Sequence, residues 1–233
     1  LANAIVWQDR RTEERCRSIR AKGDDLWIRK LTGLPVDPYF SGTKMQWLLE
    51  NNESIKLAAS HNDLLFGTID TFLLYKLTSG ESFKTESSNA SRTLLMDLES
   101  GSWSQKLCEY FGIPSKSLPE ICPSFHQFGV TKGLKFLPDG IAITGILGDQ
   151  QAALFGQAGH SKGSMKCTYG TGAFMLLNTG SEIVESTNGL LTTVAYQHKD
   201  KVMYALEGSC YIAGAAVQWL RDNLNFIQKS PDV

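Results

Sequence analysis

The sequence lacks the marks of several functional classes. Positive charge is not in excess: 23 Lys and Arg against 24 Asp and Glu leave a formal net charge of −1. There is thus no basic stripe to track nucleic-acid phosphates, and no nucleic-acid partner is expected. No run approaches the roughly 18 uncharged apolar residues of a membrane-spanning helix, so no membrane insertion is expected either. The five cysteines (Cys16, Cys108, Cys122, Cys167, Cys210) are odd in number, scattered and never in a CxxC pair. That argues against a disulfide framework or zinc knuckle and favours a reducing cytoplasm. No basic stretch followed by an apolar block opens the chain, and no repeat or low-complexity tract interrupts it. With 42% hydrophobic residues the chain is too apolar for disorder. Its 233 residues suffice for one large domain or two small ones.

Familiar catalytic signatures are missing too. There is no GxxxxGK[ST] phosphate loop. Gly170-Thr171-Gly172 lacks the third glycine of a dinucleotide or protein-kinase loop, and no HRD or DFG follows. His61, His126, His160 and His198 are isolated, with no HExxH spacing, and no serine sits in GxSxG context.

The sequence that remains is α/β material. A strand is predicted at about 2–8. A charged helix follows, with Asp9 as N-cap and Gly23 as stop, and a second covers about 24–31. Ser41 reads as the cap of a helix ending at Asn51-Asn52, and Ile69, Phe72, Leu73 and Leu77 stand at helical spacing. Residues 81–103 read as extended, polar and turn-rich, 104–111 as a helix, and 141–146 as a buried strand entering a helix at Asp149 or Gln150. After Gly163 come four strands, at 164–169, 173–178, 190–197 and 201–207, then an amphipathic helix over 213–227. The change of character at 158–163 marks a domain boundary or hinge. Trp7, after a strand, and Trp47 and Trp219, on helices, read as core rather than as ligand platforms.

Two glycine-rich turns could carry chemistry. Gly148-Asp149-Gln150-Gln151 puts a carboxylate at the end of a strand and the mouth of a helix, where open α/β sheets place ligands. Asp149 there is either a helix N-cap or a group that accepts a substrate proton or holds a metal. Thr168-Tyr169-Gly170-Thr171-Gly172-Ala173-Phe174 is either a tight hairpin or a nest of N–H groups that cradles phosphate. Tyr39, beside Pro38 in a polar loop, can point its hydroxyl into a cleft.

Taken together these segments resemble the FGGY family of carbohydrate kinases, above all the members that phosphorylate glycerol. The resemblance covers essentially the whole chain. It is carried by Asn3-Ala4-Ile5-Val6-Trp7-Gln8-Asp9-Arg10-Arg11-Thr12, by the signature-like stretch from Tyr39 to Asn51, by Phe66–Thr71 and Thr85–Thr93, by Gly148–Leu154, by Thr168–Gly172 and by Tyr204–Ser209. Glu86 stands where these relatives commonly have Asp, and Ala173 where Cys is frequent. The resemblance implies an actin-like, ribonuclease H-like two-domain kinase fold, incomplete at both ends. Residues 1–158 would be the latter part of the N-terminal, substrate-side domain, and 159–233 the start of the C-terminal, nucleotide-side domain.

It also implies ATP-dependent phosphorylation of glycerol to sn-glycerol 3-phosphate, with ATP and Mg²⁺ as cofactors. On that reading Asp149 is the general base and lies in or near the Mg²⁺ shell. Tyr39 and Gln150 hydrogen-bond glycerol, Trp7 and Phe174 cover its carbons, and Gly170 and Thr171 hold the nucleotide phosphates. An Asp-x-Gly-Thr-[Ser/Thr] loop and an Arg-Glu glycerol grip are expected upstream of this stretch, and an adenosine pocket downstream. The chain is then the middle of a protein about twice as long, a homo-oligomer when whole, and has little activity by itself. The loop at 132–140 departs from the Gly-Gly-x-Arg effector loop of some relatives. Two rival readings are an FGGY kinase for xylulose or gluconate and a non-catalytic actin-like ATP-binding module. Trp7, Tyr39 and Phe174 would crowd a pentose, and a pure binding module has no use for Asp149.

Overall fold

A computed structural model describes residues 2–233. Five helices open the chain: α1 (Glu13–Ala21), α2 (Asp24–Thr32), α3 (Ser41–Asn51), α4 (Glu53–Ser60) and α5 (Ile69–Leu77). Short pieces follow: β1 (Lys84–Glu86), α6 (Ser87–Ala90), β2 (Met96–Asp97), β3 (Ser102–Trp103), α7 (Gln105–Phe111) and β4 (Glu120–Cys122). The second half holds β5 (Phe125–Val130), β6 (Ala142–Gly145), α8 (Asp149–Gly156), β7 (Met165–Tyr169), β8 (Ala173–Gly180), β9 (Leu191–His198), β10 (Lys201–Cys210) and α9 (Gly214–Asp222). The four strands expected after Gly163 form one antiparallel sheet in the order β7-β8-β10-β9.

Several local expectations are corrected. Residues 2–8 form no strand; the carbonyl of Val6 instead accepts from the amide of Asp9 at 3.1 Å and from Lys44 Nζ at 2.7 Å, which folds the segment into a turn. Asp9 does not cap α1. Its carboxylate accepts from Arg11 N and Nε, each at 2.9 Å, and the helix starts four residues on with Thr12 in the cap position. Ser41 is the first helical residue of α3 rather than its cap. Asn52 ends α3 and at once caps α4, a helix the periodicity missed, its side chain accepting from Ile55 N at 3.1 Å. The last helix stops at Asp222, and Asn225, with φ at 54°, takes the chain out of it.

Burial departs from expectation as well. Residues 85–96 are not a solvated polar loop: Thr85, Glu86, Ser87, Ser88, Ala90, Ser91 and Thr93 are all buried. The strand at 142–145 pairs only with β5 and is largely exposed, because no described element covers its outer face. Helix α5 buries Thr71 and Leu74 and turns Ile69, Phe72 and Leu73 outward. Trp7, at 39%, and Trp219, at 52%, are exposed and so are not core.

The main core joins the helices, with Cys16, Ile28, Leu34, Phe40, Leu95, Leu107 and Phe111 all essentially inaccessible. Each fully buried side chain of this size stabilises by roughly 1.5–3 kcal/mol. A second cluster, Ala90, Met96, Leu98, Val194 and Tyr204, seats the 87–98 segment on β9 and β10. A third places Leu154 of α8 on Leu176, Ala195 and Ala205 of the sheet. These contacts fix the start of α8 beside β7 and β8, where the candidate site lies.

Candidate active site

Trp7, Tyr39 and Phe174, far apart in sequence, converge. The Trp7 ring meets Tyr39 edge-on at 5.7 Å between centroids and Phe174 edge-on at 6.0 Å. Such edge-to-face pairs are favoured by the ring quadrupoles. Sequence reasoning missed a fourth ring: Tyr211 stacks on Tyr39 at 5.7 Å with 22° between planes, and lies 5.9 Å from Trp7. Its only signal was its place two residues after the Tyr204–Ser209 stretch. The β8–β10 register, which sets Ser209 opposite Phe174, carries Tyr211 to this corner.

Each wall residue has its own anchor. The Trp7 turn is held by Lys44 of α3, a buried cation whose pKa burial lowers. Tyr39 donates its amide to Asp37 Oδ1 at 2.8 Å and packs on Phe40 at 5.0 Å. The Arg92 guanidinium lies over both rings, 5.4 Å from Tyr39 and 5.3 Å from Phe40, and its Nη2 donates to Glu207 Oε1 at 2.7 Å. Burial is the chief cause that raises the Tyr39 phenol above its ordinary pKa, with the charges of Glu207 and Asp149 adding to it against Arg92. Burial works to lower the Arg92 pKa, but Glu207 and the Tyr39 phenol together outweigh it and raise the pKa above its ordinary value.

Asp149 is exposed at the first position of α8, and Gly148 holds the cap position, so the N-cap alternative fails. A carboxylate at this end is favoured by the helix dipole. Its Oδ1 accepts from Gln150 N at 2.8 Å, and its Oδ2 from Gln150 Nε2 at 3.3 Å. The turn before it is fixed from below. Gly148 N donates to Ser88 Oγ at 3.0 Å, and Ser88 Oγ donates to the buried Glu86 at 2.5 Å. Glu86 also accepts from Ser124 Oγ at 2.5 Å and Ser87 Oγ at 3.0 Å; burial nonetheless raises its pKa. Glu86 thus ties three segments together, around residues 86–88, 124 and 148.

Gly170 and Thr171 form the exposed tip of the β7–β8 hairpin. Their carbonyls accept from the start of α9, Gly214 N to Gly170 O at 2.9 Å and Ala213 N to Thr171 O at 2.8 Å. A Cβ on Gly172 would lie 2.7 Å from the Cys210 carbonyl, so that glycine is required by close approach. The turn is therefore a tight hairpin whose outer side stays open. Among the described residues no group of three His, Cys, Asp or Glu side chains could hold a metal ion. A lone carboxylate such as Asp149 suits Mg²⁺, which takes one or two carboxylates and completes its shell with water and phosphate oxygens. No helix among the described residues is long and apolar enough to cross a membrane.

Relatives share both sequence and shape. Glycerol kinases of Bdellovibrio bacteriovorus and Myxococcus xanthus are 56% and 54% identical over the whole of this chain, which covers 47% of each. The chain thus spans about half the length of the curated relatives it matches. The crystal structure of Plasmodium falciparum glycerol kinase with ADP superposes with a TM-score of 0.93 at 44% identity, over 100% of this chain and 46% of that one. A ligand-bound xylulose kinase from Lactobacillus acidophilus shares the fold alone, with a TM-score of 0.81 at 20% identity over 100% of this chain and 46% of that one. The α/β, actin-like fold expected from the motifs is therefore the fold observed. Residues 1–156 match the N-terminal domain and residues 165–232 the C-terminal domain of one family description, so the chain belongs to the FGGY family of carbohydrate kinases.

Proposed function

We propose that the whole protein transfers the γ-phosphoryl group of ATP to a terminal hydroxyl of glycerol, giving sn-glycerol 3-phosphate and ADP. The observation that carries this reading is the convergence of Trp7, Tyr39 and Phe174 in a chain about half identical to proteins named glycerol kinase. Aromatic faces at the site would cover the substrate carbons and exclude water, which competes as phosphoryl acceptor.

Asp149 takes the proton from the attacking hydroxyl, a role worth about 10²–10⁴-fold in rate. Tyr39 and Gln150 hold the hydroxyls, and Trp7 and Phe174 cover the carbons. Gly170 and Thr171, at the open hairpin tip, hold nucleotide phosphates through N–H and hydroxyl groups. Asp149 would be the residue of this stretch that holds Mg²⁺, which would neutralise charge on the phosphates. The domain division proposed is 1–158 on the substrate side and 159–233 on the nucleotide side, supported by the extents of the two family matches. The five cysteines without disulfides support a reducing cytoplasm. A homo-oligomeric whole protein completes the reading.

The second reading, a xylulose or gluconate kinase, shares the fold at 20% identity. The ring cluster disfavours it. A coupled assay of ADP release by the full-length protein separates the two. Glycerol should be turned over well and xylulose hardly at all, and Asp149→Asn should lower turnover by at least about 10²-fold. Preference for xylulose, or an active Asp149→Asn variant, would refute the proposal.

A further inference from the structure

Behind the aromatic wall lies a cation that the scheme above does not use. Lys166, in β7, is 3% exposed. Its Nζ donates to three acceptors: Gln150 Oε1, Thr168 Oγ1 at 2.9 Å and the Phe174 carbonyl at 3.2 Å. An ammonium has three donors and no acceptor, so all its capacity is spent. It makes no salt bridge, and the nearest anions, Glu207 and Asp149, act on it only through space. A buried ammonium without a paired anion costs free energy that its neutral hydrogen bonds offset only in part.

The purpose follows from the asymmetry of the carboxamide. An amide side chain can in general be turned either way. Lys166 removes that freedom, because it can meet only the oxygen end of Gln150. The nitrogen end must then face the other way, where Oδ2 of Asp149 stands 3.3 Å from Nε2. A carboxylate only accepts, so both neighbours favour one orientation. We propose that Lys166 is a positioning residue: it locks the Gln150 carboxamide with its nitrogen toward Asp149 and the substrate, so that Gln150 serves glycerol as a donor. The lock also spans the two family segments, since Gln150 falls in the first match and Lys166 in the second. Through the Phe174 carbonyl the same ammonium holds one wall of the pocket.

The inference rests on the kinase reading given above, and the experiment separates the two. Steady-state kinetics of the full-length protein are measured for glycerol at saturating ATP, and for ATP at saturating glycerol. Lys166→Met should lower kcat/KM for glycerol by about 10–100-fold, the loss expected for a charge-assisted hydrogen bond, with the KM for ATP changed by less than about twofold. In a Gln150→Ala background the same substitution should cost less than about twofold, because its target is gone. Wild-type kcat/KM in Lys166→Met, or an undiminished further loss in the Gln150→Ala background, overturns the proposal. Should Lys166→Met not fold, Lys166→Gln takes its place. Its carboxamide can meet either end of Gln150, so it keeps a hydrogen bond but removes the one-sided lock. A drop of about tenfold or more in kcat/KM for glycerol at wild-type melting temperature then supports the lock, and wild-type kcat/KM overturns it. A wild-type protein that does not use glycerol refutes the kinase reading instead.

Discussion

Replacing Glu207 by Gln leaves the Arg92 guanidinium buried without its anion. The pair is 2.7 Å long, with side-chain exposures of 16% for Arg92 and 1% for Glu207. Breaking one partner of a buried pair costs about 3–5 kcal/mol, because the surviving charge has lost both water and counter-ion. The lower end applies here: the guanidinium keeps some access to solvent and still lies over Tyr39 and Phe40. A loss of about 3 kcal/mol, with m near the top of the range of about 1–3 kcal/mol/M in urea for a chain of this size, lowers the unfolding midpoint by about 1 M. Arg92→Met should cost a similar amount. The pair itself is imperfect, since Arg92 Nη1 and Glu207 Oε2 are buried with no partner. Desolvation is thus incompletely offset, and the double substitution Arg92→Met with Glu207→Gln should be more stable than the sum of the single losses by about 2 kcal/mol or more. Urea unfolding of the four proteins, followed by circular dichroism, tests this. Additive losses, or a Glu207→Gln midpoint within about 0.2 M of wild type, would refute the account of a desolvated pair joining residues 115 apart.

Gly33→Ala should destabilise by about 2 kcal/mol or more, since Gly33 has φ at 72° and an added Cβ would stand 2.3 Å from the Thr192 carbonyl; an unchanged midpoint in urea would contradict the close packing of α2 on β9. Leu95→Ala, at a site with no exposure, should cost about 2–5 kcal/mol in the same assay, and a loss under about 1 kcal/mol would mean the helical core repacks freely. Asp9 is held down from 3.8 to about 2, chiefly by the Arg11 side chain and amide. A depressed carboxylate stabilises above its unfolded value and loses that contribution as pH falls from about 4 through about 2. Asp9→Asn should therefore flatten the stability–pH curve in that window, and an unaltered acid limb would sink the assignment.

The helical spacing of the first half, the four strands after Gly163 and the two glycine turns were legible because each depends on neighbours a few residues away. Asn52 shows the limit of such reading: one residue both ends α3 and caps α4, which looks from sequence like a single stop. Burial was less legible. The 85–96 stretch is polar yet buried because its hydroxyls are satisfied by Glu86 and by Thr193 of β9, a partner about 100 residues distant. The apolar spacing of α5 gave the helix but not its burial: Ile69, Phe72 and Leu73 face outward, because burial depends on what packs against an element and not on its own composition.

The candidate site divides the same way. Tyr39, Asp149, Gly170 and Thr171 could be named from residue type and turn motif, and Trp7, Gln150 and Phe174 from the family resemblance. Their convergence could not, nor could Tyr211 on the ring cluster, Arg92 against Glu207, or Lys166 against Gln150. The sequence by itself determined the local elements, the family and which side chains could do chemistry, since helix period, turn glycines and motif residues act over a few positions. Only the tertiary structure decided which of them meet and which way the Gln150 amide faces. Those outcomes hang on the β8–β10 register and on the seating of α8 against the sheet, where a strand slip of one residue would turn every side chain to the opposite face.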